Sequence, residues 1–393
     1  MSPFHQANSR AASQQLANFV PKAGPDYTQN RNYDTGPNNR NNLSMLSPWI
    51  RIRLLSEWTV LRAVLAQHPL NECSKFIDEL FWRCYWKSWL ECHPSVWKDY
   101  LSQLNDDLQN FAKNPLYLDC CQAHAPIACM NIWLEELKTT GYLHNHARMW
   151  FASIWIHTLK LPWTLGAHLF LQHLLDGDPA SNTLSWRWVA GLHTRGKQYL
   201  ASADNIEHFT HGRIRVPEPL AQNAVEYSWE PSRFEVYQAT QSFDSLSINK
   251  GSAWLICEED LAPSREAMLS REQIPQIGYI PLSAYQKAGI QDSVFKFRHD
   301  CLADSLPQDS PIVHDTPALI QWVQQHHFKT LYVIEPKQGL WNPVLPTLET
   351  ELHKIDCTLE RVNHAFDLQY LASAKAGFFK FKKQIPKLIS GFK

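Results

Sequence analysis

Two aspartates that flank a glycine form the densest group of candidate functional side chains in the sequence. Asp176 and Asp178 follow an apolar segment, and Pro179 comes next as a residue that can open a helix. Asp178 stands in the position of a helix cap, and a capped helix start alone would account for the motif. Because the preceding residues are apolar, we expect Asp176 to be partly buried and to need a cation or a proton. Arg148 is the candidate cation.

A second group shares one face of a predicted helix, because its members are spaced by three, four and seven residues. The group is Asn145, Arg148, Met149 and Ala152. Amide and guanidinium groups on an otherwise apolar helix form either a satisfied core network or the wall of a ligand site.

A third group lies in a segment that is apolar on almost every side. Glu79 and Arg83 are four residues apart and would pair on a helix, where a surface ion pair contributes only about 0.3–0.5 kcal/mol. Their neighbours are Leu80, Phe81, Trp82, Tyr85, Trp86, Trp89 and Leu90. A helix with such a sequence is buried, so we expect the Glu79 carboxylate to face a cavity rather than bulk water.

A fourth group places hydroxyl residues just before a helix. Ser44 and Ser47 precede Pro48, and hydroxyls with free backbone N–H groups at a helix start suit a phosphate. Ordinary capping by Ser47 is the alternative, and it is compatible with phosphate binding.

The elements that carry these groups are helical. Apolar residues at spacings of three and four predict helices between residues 47 and 199, including 76–90 and 145–161. The sequence predicts an extended arm over residues 1–40, which are rich in Asn, Gln and Ser, and a helical domain over residues 41–215.

A different pattern follows a predicted linker at residues 216–245. Residues 246–393 alternate short apolar runs with helical ones, which indicates an α/β domain with a parallel sheet. The predicted strands are Ser252–Ile256, Ile277–Leu282, Ser293–Phe297, Lys329–Ile334 and Thr358–Val362, and the predicted helices are Thr316–Gln325 and Pro343–Lys354.

Composition excludes some classes of protein. The net charge of −1 means that binding to nucleic acid would need a local basic patch. The nine cysteines include no C-x-x-C pair, which indicates reduced thiols and argues against a zinc or iron–sulfur site. No signal pattern or membrane-length apolar run occurs, so we expect a cytoplasmic monomer without a membrane partner.

Two basic stretches could track a phosphate backbone. Residues 183–215 carry five basic and two acidic residues, and residues 372–393 carry six lysines and no acid. A charge run is more often a solvated face, and the second stretch is also amphipathic and could dock on its own chain.

Together and in this order, the four groups resemble the FAD-binding domain of the photolyase/cryptochrome family. The resemblance covers about residues 27–201. Tyr27 and Arg31 match a Tyr-x-x-x-Arg pair, and the Ser44–Ser47 segment matches a Thr-Ser-x-Leu-Ser-Pro loop, with Leu43 in place of the threonine. Three further segments match. The family's Glu-x-x-Trp-Arg segment is matched by Glu79, Trp82 and Arg83, and its Asp-Gly-Asp-x-x-x-Asn segment is matched by Asp176, Gly177, Asp178 and Asn182. Its Trp-Met-His-Asn-x-x-Arg-Met segment is matched by Tyr142, Leu143, His144, Asn145, Arg148 and Met149.

The resemblance implies an FAD cofactor bent into a U inside a helical bowl. Asn182 would lie beside flavin N5, Asp178 would contact the ring edge and ribose region, and Asp176 would pair with Arg148. The implied FAD-binding residues are Tyr27, Ser44, Leu46, Ser47, Glu79, Arg83, Asn145, Arg148, Asp176, Asp178 and Asn182.

The activity that the resemblance implies is light-dependent repair of cyclobutane pyrimidine dimers in damaged DNA, a lyase reaction driven by electron transfer from reduced FAD. Glu79 would hydrogen-bond the dimer, and Trp82, Met149 and Trp188 would line the cavity. A blue-light photoreceptor of cryptochrome type without repair activity is the main alternative, and a flavoprotein that binds FAD for structure alone is another. A six-four photolyase is disfavoured, because neither the cysteine-ligated cluster nor the histidine pair of such proteins is evident.

The family also passes electrons to flavin along three tryptophans. Trp186 and Trp163 match the inner and middle members, but Phe111 occupies the outer position. Phenylalanine is much harder to oxidise than tryptophan, so either the path is cut or another residue ends it. The candidates are Trp150, Trp155 and Tyr117.

Domain order is the largest departure from the family. Its other members begin with an α/β domain, whereas here the α/β pattern follows the flavin domain. We therefore predict a helical photolyase-type FAD-binding domain followed by a smaller parallel α/β domain, which resembles the family's α/β domain in permuted order. The sequence does not indicate whether a second antenna chromophore binds.

Overall fold

The structure, a computed structural model, describes residues 6–391 except 195, 229, 231, 239, 243–245, 247–248, 263–273 and 375–376. Three basic residues of the two predicted basic stretches, Arg195, Lys375 and Lys393, lie outside the described residues.

The first part of the chain is helical, as predicted. Its helices are α1 (Ser9–Phe19), α2 (Pro25–Asn30), α3 (Ser47–Arg51), α4 (Glu57–Leu65), α5 (Leu70–Glu91), α6 (Pro94–Phe111), α7 (Pro115–Cys121), α8 (Ala128–Thr140), α9 (Asn145–Ser153), α10 (Trp163–His173), α11 (Pro179–Val189) and α12 (Ala203–Phe209). A π-helical turn, Ile154–Thr158, continues α9. Within the described part of the chain, no helix is long and apolar enough to cross a membrane.

The N-terminal region differs from the extended arm that composition predicts. Asn8 caps α1 by accepting a hydrogen bond from the backbone N–H of Ala11 at 2.8 Å. Ala12, Leu16 and Phe19 of α1 are buried in the main core. Their spacings of four and three place them on one face of the helix, so a local apolar stripe outweighs the polar average of the segment.

Helix α5 is the central element of the helical region. It is 22 residues long and covers the predicted helix at 76–90. Helices α2, α4, α6 and α11 all pack on α5, and so do two helices of the C-terminal region. A helix with neighbours on most sides can place polar side chains only in the gaps between those neighbours.

The C-terminal region forms a six-stranded parallel sheet, in the order β1-β6-β5-β2-β3-β4. The strands are β1 (Gln241–Ser242), β2 (Ser252–Cys257), β3 (Gln276–Tyr279), β4 (Ile312–Val313), β5 (Thr330–Ile334) and β6 (Thr358–Asn363). The helices are α13 (Leu282–Lys287), α14 (Asp292–Ser305), α15 (Thr316–His326), α16 (Val344–His353), α17 (Ala365–Ser373), α18 (Phe378–Lys382) and α19 (Ile385–Ser390). Four of the five predicted strands and both predicted helices are confirmed.

Two predictions for this region were wrong. The run at Ser293–Phe297 lies in helix α14, where Val294, Phe297 and Cys301 continue the spacing of a helical face and are buried. The predicted linker at 216–245 contains the edge strand β1, which pairs with β6. A strand of two residues is too short for its alternation to be recognised in a sequence.

The carboxyl ends of the strands face the helical region. Strand β2 ends at Cys257, and the next three residues, Glu258–Asp260, are buried acids. Arg51 Nη2 lies 2.7 Å from Glu259 Oε1, and Arg53 Nη1 lies 2.7 Å from Asp260 Oδ2. The edge of a parallel sheet where ligands usually bind is therefore closed by arginines of the helical region.

Candidate functional site

The predicted ion pair between Arg148 and Asp176 is present. Arg148 Nη2 donates to Asp176 Oδ2 at 2.9 Å, and the Ser47 hydroxyl donates to the same oxygen at 2.6 Å. Asp176 lies in the short connection between α10 and α11, and its side chain is nearly buried. Burial opposes the charge on Arg148, but Asp176 outweighs it and raises the pKa of the guanidinium. The three side chains join α3, α9 and the Asp-Gly-Asp segment.

Asp178 caps α11, as its position in the sequence predicts. Its carboxylate accepts a hydrogen bond from the backbone N–H of Ser181 at 2.8 Å, and Arg51 Nε lies 3.5 Å away. Burial would raise the pKa of Asp178, but the charges of Arg51 and Lys87 outweigh it and hold the pKa well below its usual range. One turn into α11, the buried Asn182 donates from Nδ2 to a backbone carbonyl of α10 at 2.7 Å.

Glu79 pairs with a different arginine from the one that helical spacing predicts. Arg31 Nη1 donates to Glu79 Oε1 at 2.9 Å, whereas Arg83 donates to the Arg51 carbonyl at 2.8 Å and lies 3.4 Å from Glu57. The predicted Glu79–Arg83 pair was therefore wrong. Each side chain has a nearer partner on a neighbouring element, and the buried carboxylate of Glu57 attracts Arg83 more strongly than a half-exposed one does.

Glu79, Tyr142 and Arg148 are partly accessible polar side chains, and we call the surface that they form the recess. Burial raises the pKa of Glu79, although 40% of its side-chain surface is accessible. Tyr142 and Arg148 are also partly accessible, and burial raises the pKa of Tyr142. The Arg148 guanidinium lies 5.4 Å from the centre of the Tyr142 ring. Desolvation by surrounding protein together with partial accessibility is typical of side chains at a concave surface.

Tyr27 closes one side of this recess. Its ring contacts Phe19 and Phe76 with centroid distances of 5.6 and 5.4 Å. Burial raises the pKa of Tyr27, and the charge of Glu79 adds to the effect. Tyr27 and Arg31 belong to α2 and the residue that follows it, in the segment that composition predicts as an extended arm. The N-terminal helices therefore contribute directly to the site.

The Ser44–Ser47 loop is fixed through its backbone and one hydroxyl. Gln15 donates to the Ser44 carbonyl at 2.8 Å, and Leu46 is fully buried. Leu46 occupies the capping position of α3, so Ser47 is its first helical residue. Ser47 therefore does not cap the helix, and its hydroxyl binds Asp176 instead.

Asn145 and Met149 lie at the accessible side of the site. Asn145 is the first residue of α9 and is exposed, and its amide nitrogen lies 3.8 Å from the Met149 sulfur. Their spacing of four residues places them on the face that also carries Arg148. These three residues are therefore at least partly accessible, and the role of this face as the wall of a ligand site stays a prediction.

The C-terminal region covers Trp82, which the sequence places in an open cavity. The rings of Trp82 and Phe378 are stacked, with centroids 3.5 Å apart and an interplanar angle of 11°. The prediction that Trp82 lines a free cavity was therefore wrong for the face that Phe378 covers. Trp188, which the resemblance implies to line the same cavity as Trp82, is half-buried and stacks on Tyr199, with ring centroids 5.8 Å apart.

The predicted electron-transfer residues belong to two groups of aromatic rings. Trp186 contacts Trp155 at 6.5 Å, and Trp155 contacts the partly exposed Tyr117 at 6.1 Å. Trp163 contacts Tyr100 at 5.5 Å. Phe111 is the last residue of α6 and packs on the core. Among the three candidates for the terminal donor, Trp155 and Tyr117 extend from Trp186, and Trp150 instead stacks on Trp133 at 5.8 Å.

Helix α5 carries two polar residues that the sequence argument missed. Lys87 and Glu91 continue the spacing of four that begins with Glu79 and Arg83, and this spacing was the signal that would have found them. Burial lowers the pKa of Lys87, and burial raises the pKa of Glu91 to about 7. Both residues, together with Lys337, line a cavity of about 10 Å³. A cavity of this volume has room for about one water molecule.

The predicted basic stretch at 183–215 is largely engaged within the chain. Arg213 pairs with Asp34 at 2.7 Å, and Arg215 pairs with Glu207 at 3.2 Å. Arg187 lies 5.8 Å from the centre of the Trp163 ring. Within the described ranges, no cluster of histidine, cysteine and acidic residues could hold a metal ion.

A family model described as the FAD binding domain of DNA photolyase matches residues 76–223. The chain carries a FAD-binding domain of the photolyase/cryptochrome family. This domain contains most of α5, all of α9 and the Asp-Gly-Asp segment, and the parallel sheet follows it in the chain. The predicted fold class and the predicted order of the two regions are therefore confirmed.

Relatives of the photolyase-type domain include both kinds of family member. The deoxyribodipyrimidine photo-lyase of Escherichia coli K12 is 28% identical over 195 residues, which cover 48% of this chain and 40% of that protein. Cryptochrome DASH of Idiomarina loihiensis is 28% identical over 192 residues, which cover 48% of this chain and 42% of that protein. A bacterial class III photolyase from Agrobacterium tumefaciens, with a TM-score of 0.43 and 25% identity, covers 51% of this chain and 42% of that chain. The chain thus spans about 40% of the length of these curated relatives.

Proposed function

We propose that the chain binds FAD in the recess and uses it for light-driven electron transfer to a cyclobutane pyrimidine dimer in DNA. The observation that carries the proposal is the presence of the Arg31–Glu79 and Arg148–Asp176 pairs in the recess, three of whose four residues, Glu79, Arg148 and Asp176, lie within the region that matches a photolyase-type FAD-binding domain. When bound, FAD would supply absorption of visible light and one electron, which the split product returns.

The residues that line the recess suit a flavin nucleotide. The guanidinium of Arg148 is fixed by Asp176 but remains 25% accessible, so it can bind a ligand without losing its partner. Asp178 and Asn182 would contact the ring edge and flavin N5, and the Ser44–Ser47 loop would contact the phosphates. Tyr27, Arg83 and Asn145 complete the proposed contacts.

Glu79 is the proposed group for the substrate. Burial raises the pKa of its carboxyl group, while Arg31 lowers it. A carboxyl group whose pKa is raised by burial and lowered by a nearby cation can either hold a proton near a developing negative charge or release that proton. Its distance of 2.9 Å from Arg31 keeps it oriented in the recess. Met149 and Trp188 would line the cavity beside it.

One observation favours the alternative of a blue-light photoreceptor without repair activity. Phe378 covers one face of Trp82 at 3.5 Å, and Trp82 is the ring proposed to stack on the lesion. A flipped dimer would have to displace Phe378 or bind beside it. The curated relatives include a protein named cryptochrome DASH as well as photo-lyases.

Two measurements test the proposal. The absorption spectrum of the purified chain, before and after incubation with FAD, tests for a bound flavin. Incubation of the reduced protein with ultraviolet-damaged oligonucleotides, in light and in darkness, then tests for repair. A chain that remains colourless with added FAD would contradict the whole proposal, and bound flavin without repair would leave the photoreceptor alternative.

Glu79→Ala sharpens the repair assay. We expect at least a tenfold lower repair yield with FAD still bound, because the carboxyl group contacts the substrate and other groups hold the cofactor. Glu72→Ala is the matched control, since Glu72 lies on the same helix but is exposed. Normal repair by Glu79→Ala would show that this carboxyl group has no catalytic role.

A further inference from the structure

Helices α18 and α19 are fixed on the helical region by their apolar sides. Phe378 stacks on Trp82, and Phe381 is fully buried with its ring 5.5 Å from Tyr85. Lys382 forms an ion pair with Asp78 of α5. The prediction that this amphipathic stretch docks on its own chain is therefore confirmed. The docking also fixes the direction of the side chains on its outer side.

The outer side of these helices combines an aromatic ring with lysines. Phe379 is 78% exposed, the largest exposed fraction among the large apolar side chains of the described residues. Lys380, Lys383 and Lys387 are also exposed, and residues 377–391 contain no acid. In the part of these helices that the structure describes, Lys382 alone forms an ion pair. We call Phe379, Lys380, Lys383 and Lys387 the basic–aromatic surface.

We infer that the basic–aromatic surface binds single-stranded nucleic acid, with Phe379 stacked on a base and the lysines on phosphates. Phe379 presents an aromatic face beside lysines, and single strands offer bases whose faces are free to stack on such a ring. Exposed lysines release counterions when they neutralise phosphates, which makes the binding depend on salt. The overall charge of −1 requires such a local patch for any binding of a polyanion.

A lipid surface fits these observations less well. Membrane-binding amphipathic helices insert a continuous apolar face. Here the apolar residues Phe378, Phe381, Ile385 and Leu388 are already buried in the protein, and Phe379 alone remains to insert. The helices are five and six residues long, which is too short for an independent face of that kind.

The position of the surface connects it with the recess. The rings of Phe379 and Phe378 are 6.4 Å apart, and Phe378 stacks on Trp82, one helical turn from Glu79. Phe379 is therefore two aromatic contacts away from the helical turn of α5 that carries Glu79. The inference deepens the proposed function, on which it rests for the identity of the substrate, by assigning part of the substrate surface to the C-terminal helices.

Fluorescence anisotropy in the dark, with a labelled oligothymidylate of about 16 nucleotides and the full chain, tests this surface. We expect Phe379→Ala to weaken binding about tenfold through loss of stacking, and Phe379→Trp to restore it. We expect Lys380→Gln combined with Lys383→Gln to lower the slope of log affinity against log salt by about 1.4, which corresponds to two phosphate contacts.

The controls match the variants in chemistry but lie elsewhere. Ile132→Ala removes another exposed apolar side chain, and Lys113→Gln with Lys287→Gln removes the same charge from exposed positions. Equal effects of the test and control variants would overturn the inference. Vesicles containing anionic lipid, tested with the same variants, would overturn it if Phe379→Ala lost vesicle binding while oligothymidylate binding stayed unchanged.

This assay uses undamaged strand and no light, so it separates the two proposals. Binding that depends on Phe379 in a chain without flavin or repair would support the surface and contradict the proposed function. Repair that persists in Phe379→Ala with unchanged affinity would support the function and contradict the surface.

Discussion

Two ion networks of this molecule use the same chemical groups in different surroundings. In the first, Arg148 pairs with Asp176 at 2.9 Å and remains 25% accessible. In the second, Arg53 binds Asp367 at 2.6 Å, Asp260 at 2.7 Å and Glu57 at 3.0 Å, and its side chain is only 5% accessible. The first network lies in the recess, and the second joins the helical region to the sheet.

The difference indicates what each network is for. Arg53 has three carboxylates around it and little free surface, so it has no remaining capacity to bind a ligand. Its φ of 51° is in the left-handed region that few side chains favour, which means that the surrounding contacts hold it there. Arg148 has one carboxylate and free surface. A saturated buried network favours a structural role, and an accessible one favours a ligand site.

The largest expected effect is on the buried network. We expect Arg53→Met to lower the free energy of unfolding by about 3–5 kcal/mol, because it leaves three carboxylates buried without their cation. Urea denaturation followed by circular dichroism measures the change. Arg62→Met, an exposed arginine of α4, is the control and should change stability by less than about 0.5 kcal/mol. A small effect of Arg53→Met would show that the two regions fold independently of this network.

The pH dependence of stability tests another buried acid where the sheet meets the helical region, Glu258, which accepts hydrogen bonds from Tyr285 and Trp341. Burial, together with the charge of Glu259, raises the pKa of Glu258 to about 7. The folded state therefore holds a proton that the unfolded chain releases above its ordinary pKa. This group by itself should lower the free energy of unfolding as pH rises from about 4.5 to 7, by an amount on the order of 2 kcal/mol. Histidines whose pKa is lowered by burial, such as His144 and His168, raise it over much of the same window, so the contribution of Glu258 is measured as a difference between the unchanged chain and a variant.

Glu258→Gln should remove the contribution of this carboxyl group, so that the slope of stability against pH becomes more positive than in the unchanged chain. Glu91, whose pKa burial also raises to about 7, keeps its own contribution in the variant. Urea denaturation at several pH values measures the slope, with Glu351→Gln at an exposed position as the control. An unchanged slope in Glu258→Gln would mean that this carboxyl group does not titrate in the window.

A substitution in the accessible network should lower FAD affinity more than stability, whereas a substitution in the buried network should mainly lower stability. We expect Arg148→Met to weaken FAD binding at least tenfold, a loss of about 1.4 kcal/mol, while stability of the FAD-free chain falls by only about 1–2 kcal/mol, since Ser47 still binds Asp176. Titration with FAD, followed by flavin fluorescence, measures the affinity. If Arg148→Met destabilised the chain as much as Arg53→Met and left FAD affinity unchanged, the comparison of the two networks would fail.

The smallest expected effect concerns the hydroxyl that supports Asp176. Ser47→Ala removes one hydrogen bond at 2.6 Å, and we expect a loss of about 1 kcal/mol in FAD affinity. Ser74→Ala, at an exposed hydroxyl, should leave the affinity unchanged. No change in Ser47→Ala would show that the Arg148–Asp176 pair needs no second support.

Much of the fold follows from local patterns in the sequence. The spacing of apolar residues predicted α5 and α9, and the alternation of short runs predicted β2, β5 and β6. Other elements could not be predicted in this way. The edge strand β1 has two residues, and the run at Ser293–Phe297 is apolar enough for either a strand or a helix.

In the candidate site, too, features that depend on local sequence were predicted, and a contact between distant residues was not. The Asp178 cap and the Arg148–Asp176 pair were predicted, because both depend on residue types near one another in a short stretch of helix and turn. The partner of Glu79 was not predicted. Helical spacing favoured Arg83, and the structure selects Arg31, which lies 48 residues away in the chain.

The sequence by itself determined which side chains share a helix face, which residues can cap a helix, and where polar groups interrupt apolar segments. These properties depend on backbone geometry over a few residues. Only the tertiary structure decided that Arg53 meets Asp367, 314 residues away, and that Phe378 covers Trp82. Such contacts depend on how elements that are distant in the chain pack together. The spacing of residues along the sequence does not say which of these elements lie close together in space.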